Sequence, residues 1–163
     1  MTFDWDTRIE RFWREADDTV PERMLATMRG LMEERPAEDP DALYEWASVH
    51  DFLGMEAQAI PLYESALRAG LSGDRRPQAV IQLSSSLRNV GRAEEAVRLL
   101  NAETSGGVTG DAAAAFLALA LHSSGRPNEA LSVALRALAG TLPMYGNAVT
   151  RYADELGGDS SPS

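Results

Sequence analysis

Apolar residues along this chain recur at helical spacing, not in alternation, and they do so in short stretches separated by turn residues. Trp5, Ile9, Phe12, Trp13 and Ala16 share one face of a first helix, with Phe12 and Trp13 read as core. Thr19-Val20-Pro21-Glu22 has the spacing of a capping box, which predicts a second helix running to Arg35 and stopping at Pro36. Within it Met24, Met28 and Met32 are spaced four apart. Such a stripe can serve an adaptable partner groove, but core packing of an N-terminal helix pair is the simpler reading. Near the other end Tyr145, Val149, Tyr152 and Leu156 make a stripe on a last helix.

Between these ends three segments align. They are Ala42 to Gly54 followed by Met55 to Leu67, Ala79 to Gly91 followed by Arg92 to Leu100, and Ala113 to Gly125 followed by Arg126 to Leu135. The three glycines stand 37 and 34 residues apart, a helix–turn–helix period. Each is predicted to end a helix in the left-handed region, where a β-carbon is penalised. Seven residues before each glycine stand Ala47, Ser84 and Ala118, and five after stand Ala59, Ala96 and Ala130. Two antiparallel helices approach closely only where such positions stay small. Trp46, Leu83 and Leu117 flank the first set, and Ile60, Val97 and Leu131 the second.

This combination resembles the tetratricopeptide repeat family over roughly residues 40–140. The runs Ser48 to Gly54 and Ile81 to Gly91 resemble, more closely, a small bacterial subfamily of unassigned function. Departures from the pattern are Leu100 and Glu103, which predict an early end to the second helix of that repeat, and Ala134 in place of an aromatic. Extra residues around Gly70 to Asp74 lengthen one turn, and Pro61 falls inside a helix, where it removes a hydrogen bond.

The expected fold is all-α, a right-handed α-solenoid of about nine helices. Residues 1–156 would form one solenoid: a degenerate helix pair at 1–36, repeats at 40–70, 77–103 and 111–140, and a capping helix at 142–156. Residues 157–163 read as a disordered tail.

Charge divides the chain. Residues 1–67 hold sixteen acids against six arginines, whereas residues 68–163 hold nine of each, giving the net −10. An acidic front half repels phosphate backbones, which argues against nucleic acid, and reads as a solubilising surface or a site for a basic partner. No apolar run approaches twenty residues, so no membrane span is expected. The acidic start Met1 to Asp6 lacks a secretory layout, and a cytoplasmic location is expected.

The chain has no cysteine, and all 15 of its basic residues other than histidine are arginine. That removes thiol catalysis, cysteine-bound metal, and phosphate-loop or Schiff-base lysines. His50 and His122 form no metal-binding pair at helical spacing. Gly106 to Gly110 is glycine-rich, but with no strand before it and no lysine after it reads as a loop and not a phosphate cradle. Glu33-Glu34 and Glu94-Glu95 read as solvated surface. No enzymatic activity, cofactor or metal is expected.

The resemblance implies a concave groove lined by the first helix of each repeat. Fixed distances before each glycine then give rows across it: Tyr44 with Ile81, Ser48 with Ser85 and Leu119, Asp51 with Arg88 and His122, and Phe52 with Asn89. Neighbouring helices pack about 8–10 Å apart, so Asp51 and Arg88 could pair as a structural salt bridge. Alternatively Arg88, with Asn89 beside it, could receive a carboxylate or backbone carbonyl from a bound segment. The family's carboxylate clamp uses lysines, which are missing. His122 is a candidate cation near pH 6 or a neutral surface residue. The function implied is a protein–protein interaction module holding a peptide or helical segment, with an acidic group on the partner at Arg88. Self-association into a homodimer, or binding of a small ligand, are the alternatives.

Overall fold

The computed structural model describes residues 4–103 and 107–158, and among them every regular element is helical. The helices are α1 (Trp5–Arg14), α2 (Pro21–Met32), α3 (Pro40–Phe52), α4 (Glu56–Arg68), α5 (Arg75–Asn89), α6 (Ala93–Ala102), α7 (Ala112–Ser123), α8 (Pro127–Ala139) and α9 (Gly146–Gly158). The chain is thus all-α, and its described residues hold the nine helices expected. A short 3-10 turn covers Gly107–Thr109; the rest of the Gly106–Gly110 loop reading, at Gly106, lies outside the described residues. Two compact units can be distinguished, Met1–Ser86 and Leu87–Ser163.

In the first unit, Asp4 caps α1 by accepting from the Thr7 amide at 2.8 Å, and Asp39 caps α3 by accepting from the Ala42 amide at 2.9 Å. α2 differs from expectation. Its N-cap is Val20, which has no side-chain acceptor, and it ends at Met32. The Thr19 hydroxyl, expected to cap, instead donates to Asp17 Oδ1 at 2.6 Å. Pro21 at the first helical position starts this helix through its fixed φ, where a missing N–H costs nothing.

Trp5, Ile9, Phe12, Met24, Met28, Leu31, Ala42 and Val49 pack as one buried cluster joining α1, α2 and α3. The methionines are therefore core: Met28 is fully enclosed and Met32 packs against the cluster's edge. Truncating an enclosed methionine of this kind costs about 2–5 kcal/mol. The Trp5 indole donates to the Leu31 carbonyl at 3.0 Å, satisfying an orphan acceptor at the end of α2. α3 and α4 pack together across the short turn at Leu53–Met55, with Ala47 and Ala59 wholly buried. Pro61 lies within α4 as expected.

Gly54, Gly91 and Gly125 have φ of 70°, 86° and 81°, the left-handed conformation read from the sequence. Each turn closes in one way: Met55 N to His50 O at 2.9 Å, Arg92 N to Leu87 O at 2.8 Å, and Arg126 N to Leu121 O at 2.9 Å. This six-to-one bond across a left-handed glycine satisfies carbonyls that the helix end would leave open.

In the second unit α6 packs on α7, α7 on α8, and α8 on α9. α6 ends at Ala102, as Leu100 and Glu103 predict. The last helix departs from its expected stripe. Tyr145 precedes α9 at φ 68°, Tyr145 and Tyr152 are exposed, and the buried residue is Ala153. Close approach explains this: Ser132 on α8 donates to the Ala153 carbonyl at 2.6 Å, which leaves no room for an aromatic ring at the contact. Gly157 and Gly158 complete α9, and the remainder of the expected tail, 159–163, lies outside the described residues.

Candidate functional site

A solvent-open cavity of about 500 Å³ lies on the first unit, lined by Trp13 of α1, Tyr44, Glu45, Ser48, Asp51 and Phe52 of α3, and Arg75, Gln78 and Gln82 of α5. α3 places its lining residues on one side because 44, 48 and 51/52 recur every helical turn. α5 faces it at a constant offset. The Tyr44 hydroxyl donates to Gln78 Oε1 at 3.3 Å and Ser48 Oγ lies 3.5 Å from Gln82 Oε1. Both pairs are 34 residues apart, and Ser86 Oγ donates to Asp51 Oδ1, 35 residues away, at 2.7 Å.

Two carboxyl groups sit in this wall, each held differently. Glu45 is buried, with the Trp13 indole N–H donating to its Oε2 at 2.7 Å and Arg75 Nε to its Oε1 at 3.2 Å. Burial still pushes its carboxyl above the ordinary carboxylate value, outweighing those two donors. Asp51 is half-buried, and burial raises its carboxyl too, with the Glu56 charge adding to the shift and the Ser86 hydroxyl opposing it. The Tyr63 hydroxyl lies 3.4 Å from both Ser48 Oγ and Asp51 Oδ2. Burial first, then the Asp51 charge, lifts the Tyr63 phenol far above its ordinary value, so it stays a neutral donor.

Arg75 is bound on every nitrogen. Besides Glu45, its Nη2 pairs with Asp6 at 2.8 Å and its Nη1 with Asp41 at 3.4 Å, while its guanidinium lies 5.7 Å from the Trp5 ring. One side chain thereby fastens α1, α3 and α5 around the cavity. Phe52 stands at its rim, 48% exposed, in edge-to-face contact with Trp13 at 5.9 Å between ring centres.

Of the expected groove residues, Tyr44, Ser48, Asp51 and Phe52 line this cavity together. Ile81 is buried and Ser85 half-buried, one helical turn beyond Gln78 and Gln82. Arg88, Asn89, Leu119 and His122 belong to the second unit. Arg88 is half-buried there; its Nη1 donates to Asn89 Oδ1 at 3.1 Å, and its buried Nε has no hydrogen-bond partner among the described residues. Leu119 and His122 are exposed. Sequence reading missed Trp13, Glu45, Arg75, Gln78 and Gln82. The glutamines carry a signal that was available: adding the 34-residue period to Tyr44 and Ser48 gives 78 and 82.

Among the described residues, no group of three or more histidine, aspartate or glutamate side chains could hold a metal ion. No helix of the described residues is long and apolar enough to cross a membrane. A family model described as Tetratrico peptide repeat matches residues 40–156. Neither comparison with curated proteins nor comparison with solved structures yields a match.

Proposed function

The chain belongs to the tetratrico peptide repeat family, whose members commonly mediate protein–protein interaction, and from that premise we propose that it is a cytoplasmic adaptor binding an extended or helical segment of another protein. The observation that carries this reading is the cavity between α3 and α5, open to solvent and ringed by hydroxyl, amide and carboxyl groups beneath the exposed Phe52. Such a rim supplies an apolar anchor, and such walls pair with peptide groups, which is the composition an interaction site needs. Tyr44 and Phe52 give apolar contact, and Ser48 pairs with the segment's backbone. On the second unit the half-buried Arg88, with Asn89 beside it, receives a carbonyl or carboxylate. Leu119 and His122 are exposed on α7 of the second unit, whereas Ile81 is buried in the first and offers no contact there.

The test uses the purified chain as bait in soluble extract of its host, comparing wild type with Phe52→Ser and Arg88→Ala at matched helical content. A partner held by wild type and lost by Phe52→Ser supports the cavity, and one lost by Arg88→Ala supports the second-unit contact. Equal retention by all three moves binding to another face.

A second reading is self-association into a dimer. Leu131 and Leu138 of α8 are 48% and 51% exposed, and Met144 and Tyr145 are 65% and 75% exposed. The charge-balanced back half lets two copies meet there without the repulsion that the front half imposes. Light scattering across a hundredfold range of concentration decides it: a mass that doubles favours the dimer, a constant monomer mass removes it.

A further inference from the structure

We infer that the α3–α5 cavity receives a basic side chain, so that the partner segment presents a guanidinium or ammonium group to Asp51 beside the packed rings of Trp13 and Phe52. This deepens the protein-binding reading and rests on it.

The charges that face the space decide which ligand it takes. Arg75 is the cation in the lining, and each of its three nitrogens is committed to a carboxylate: Glu45, Asp6 and Asp41. An incoming anion would have to displace one of them and would meet the other acids at short range. Three acids around one arginine leave the cluster net negative, and Asp51 adds a further negative charge to the wall. The field in the cavity therefore favours a cation.

Asp51 is the group with capacity to bind one. Its donors are neutral hydroxyls, Ser86 at 2.7 Å and Tyr63 at 3.4 Å, so its carboxylate is oriented by hydrogen bonds but not neutralised by an ion pair. A carboxylate accepts about four hydrogen bonds, leaving room for a bidentate donor. The aromatic walls fit the same ligand. Trp13 and Phe52 meet edge to face at an interplanar angle of 71°, and Phe52 is exposed to solvent at the rim. An arginine or lysine stem lies well on such rings, and a guanidinium gains from their faces. Gln78 and Gln82 supply neutral carbonyl oxygens along the opposite wall. Nothing in the lining other than Arg75 repels a cation. The acidic front half of the chain would attract a basic segment from a distance.

The test follows the Trp13 indole N–H resonance by NMR in the full chain. The probes are N-acetyl-arginine methylamide, its citrulline counterpart of the same shape without charge, and its glutamate counterpart. The expected result is a saturable shift with the arginine probe at concentrations about tenfold below those needed for citrulline, and none with glutamate. Asp51→Asn, which keeps an acceptor for Ser86, should abolish the preference. Gln78→Arg, which places a guanidinium in the cavity, should block the arginine probe with helical content unchanged, and serves if Asp51→Asn does not fold. Equal response to arginine and citrulline, a stronger response to glutamate, or no response to any probe overturns the inference. Partner capture separates the two readings. A partner held as well by Asp51→Asn as by wild type overturns the basic-residue inference and leaves protein binding standing. An arginine preference with no partner captured overturns only the adaptor reading.

Discussion

The Trp13 indole donates to Glu45 Oε2 at 2.7 Å, joining a helix that precedes the matched repeats to the first helix within them. The bond has a structural consequence apart from any ligand. Glu45 is 3% exposed, and Trp13 and Arg75 are its two hydrogen-bonded partners. Removing the carboxylate leaves an indole N–H and part of a guanidinium unpaired inside the wall. Glu45→Ala should therefore lower unfolding stability by about 3 kcal/mol, at the upper end for an orphaned buried donor. Trp13→Phe, which removes one donor and keeps Arg75, should cost about 1–2 kcal/mol by the same reasoning. Urea unfolding at neutral pH followed by circular dichroism measures both. Unchanged midpoints would show that the network contributes nothing net.

Asp51 gives a pH-dependent prediction. Its folded value lies above the ordinary 3.8 because burial disfavours the ion. An acid raised in this way binds more protons folded than unfolded across that interval, so its contribution to stability falls as pH rises through it. Asp51→Asn removes the buried ion and retains an acceptor for Ser86. At pH 7 the variant should melt at or above the wild-type temperature, and the difference should vanish below pH 3.8, where both chains carry a neutral group. A variant less stable at pH 7 would mean that the hydroxyl bonds to the carboxylate outweigh its desolvation.

The repeat turns and the cavity were legible in the sequence to different degrees, and the reason is geometric. Gly54, Gly91 and Gly125 could be placed because a left-handed helix end has few chemical solutions, and their φ values follow. Ala47, Ala59 and Ala96 could be placed because close helix packing leaves a gap that only small residues fill. The far wall of the cavity could not be read by the same route. Counting back from the glycines pairs Tyr44 with Ile81, because those turns are 37 residues apart. The helices meet side by side at 34, so Gln78 takes that place and Ile81 turns inward. The offset is still 34 at Gln78 and Gln82 and 35 at Ser86. The extra residues therefore fall in the C-terminal part of α5 and the turn after it, and not in the Gly70 to Asp74 turn where the repeat alignment puts them. Glu45 escaped notice because a carboxylate next to Trp46 looks like surface until its partner, 32 residues earlier, is known.

Two glycines should respond to alanine in opposite directions. Gly91 sits at φ 86° with open space around its missing β-carbon, so the penalty there is conformational and not steric. Gly91→Ala should destabilise by about 1–2 kcal/mol. Gly30 lies inside α2 without a left-handed backbone, and an added β-carbon there would meet nothing beyond its own helix. Gly30→Ala should stabilise by about 0.5–1 kcal/mol by lowering the entropy lost on folding. Denaturant midpoints of the two variants test the pair, and a shared sign would contradict one of these conformations.

The α8–α9 contact is set by small residues, and enlarging one should release the last helix selectively. Ala153 is fully buried, Ser132 donates to its carbonyl at 2.6 Å, and a β-carbon on Gly157 would lie 3.0 Å from Ser132 Oγ. The Arg136–Asp154 ion pair spans the same two helices, but both partners are more than half exposed, so it adds little. Ala153→Leu inserts three carbons where the backbones already touch, at a cost of about 2 kcal/mol or roughly 6 °C in melting temperature. Local release precedes global unfolding when the strain is confined to one end element. Arg151, exposed on α9, should then become a rapid trypsin site in the variant while remaining slow in wild type. If Ala153→Leu melts lower yet Arg151 stays protected, α9 unfolds only with the rest of its unit, and the contact belongs to the cooperative core.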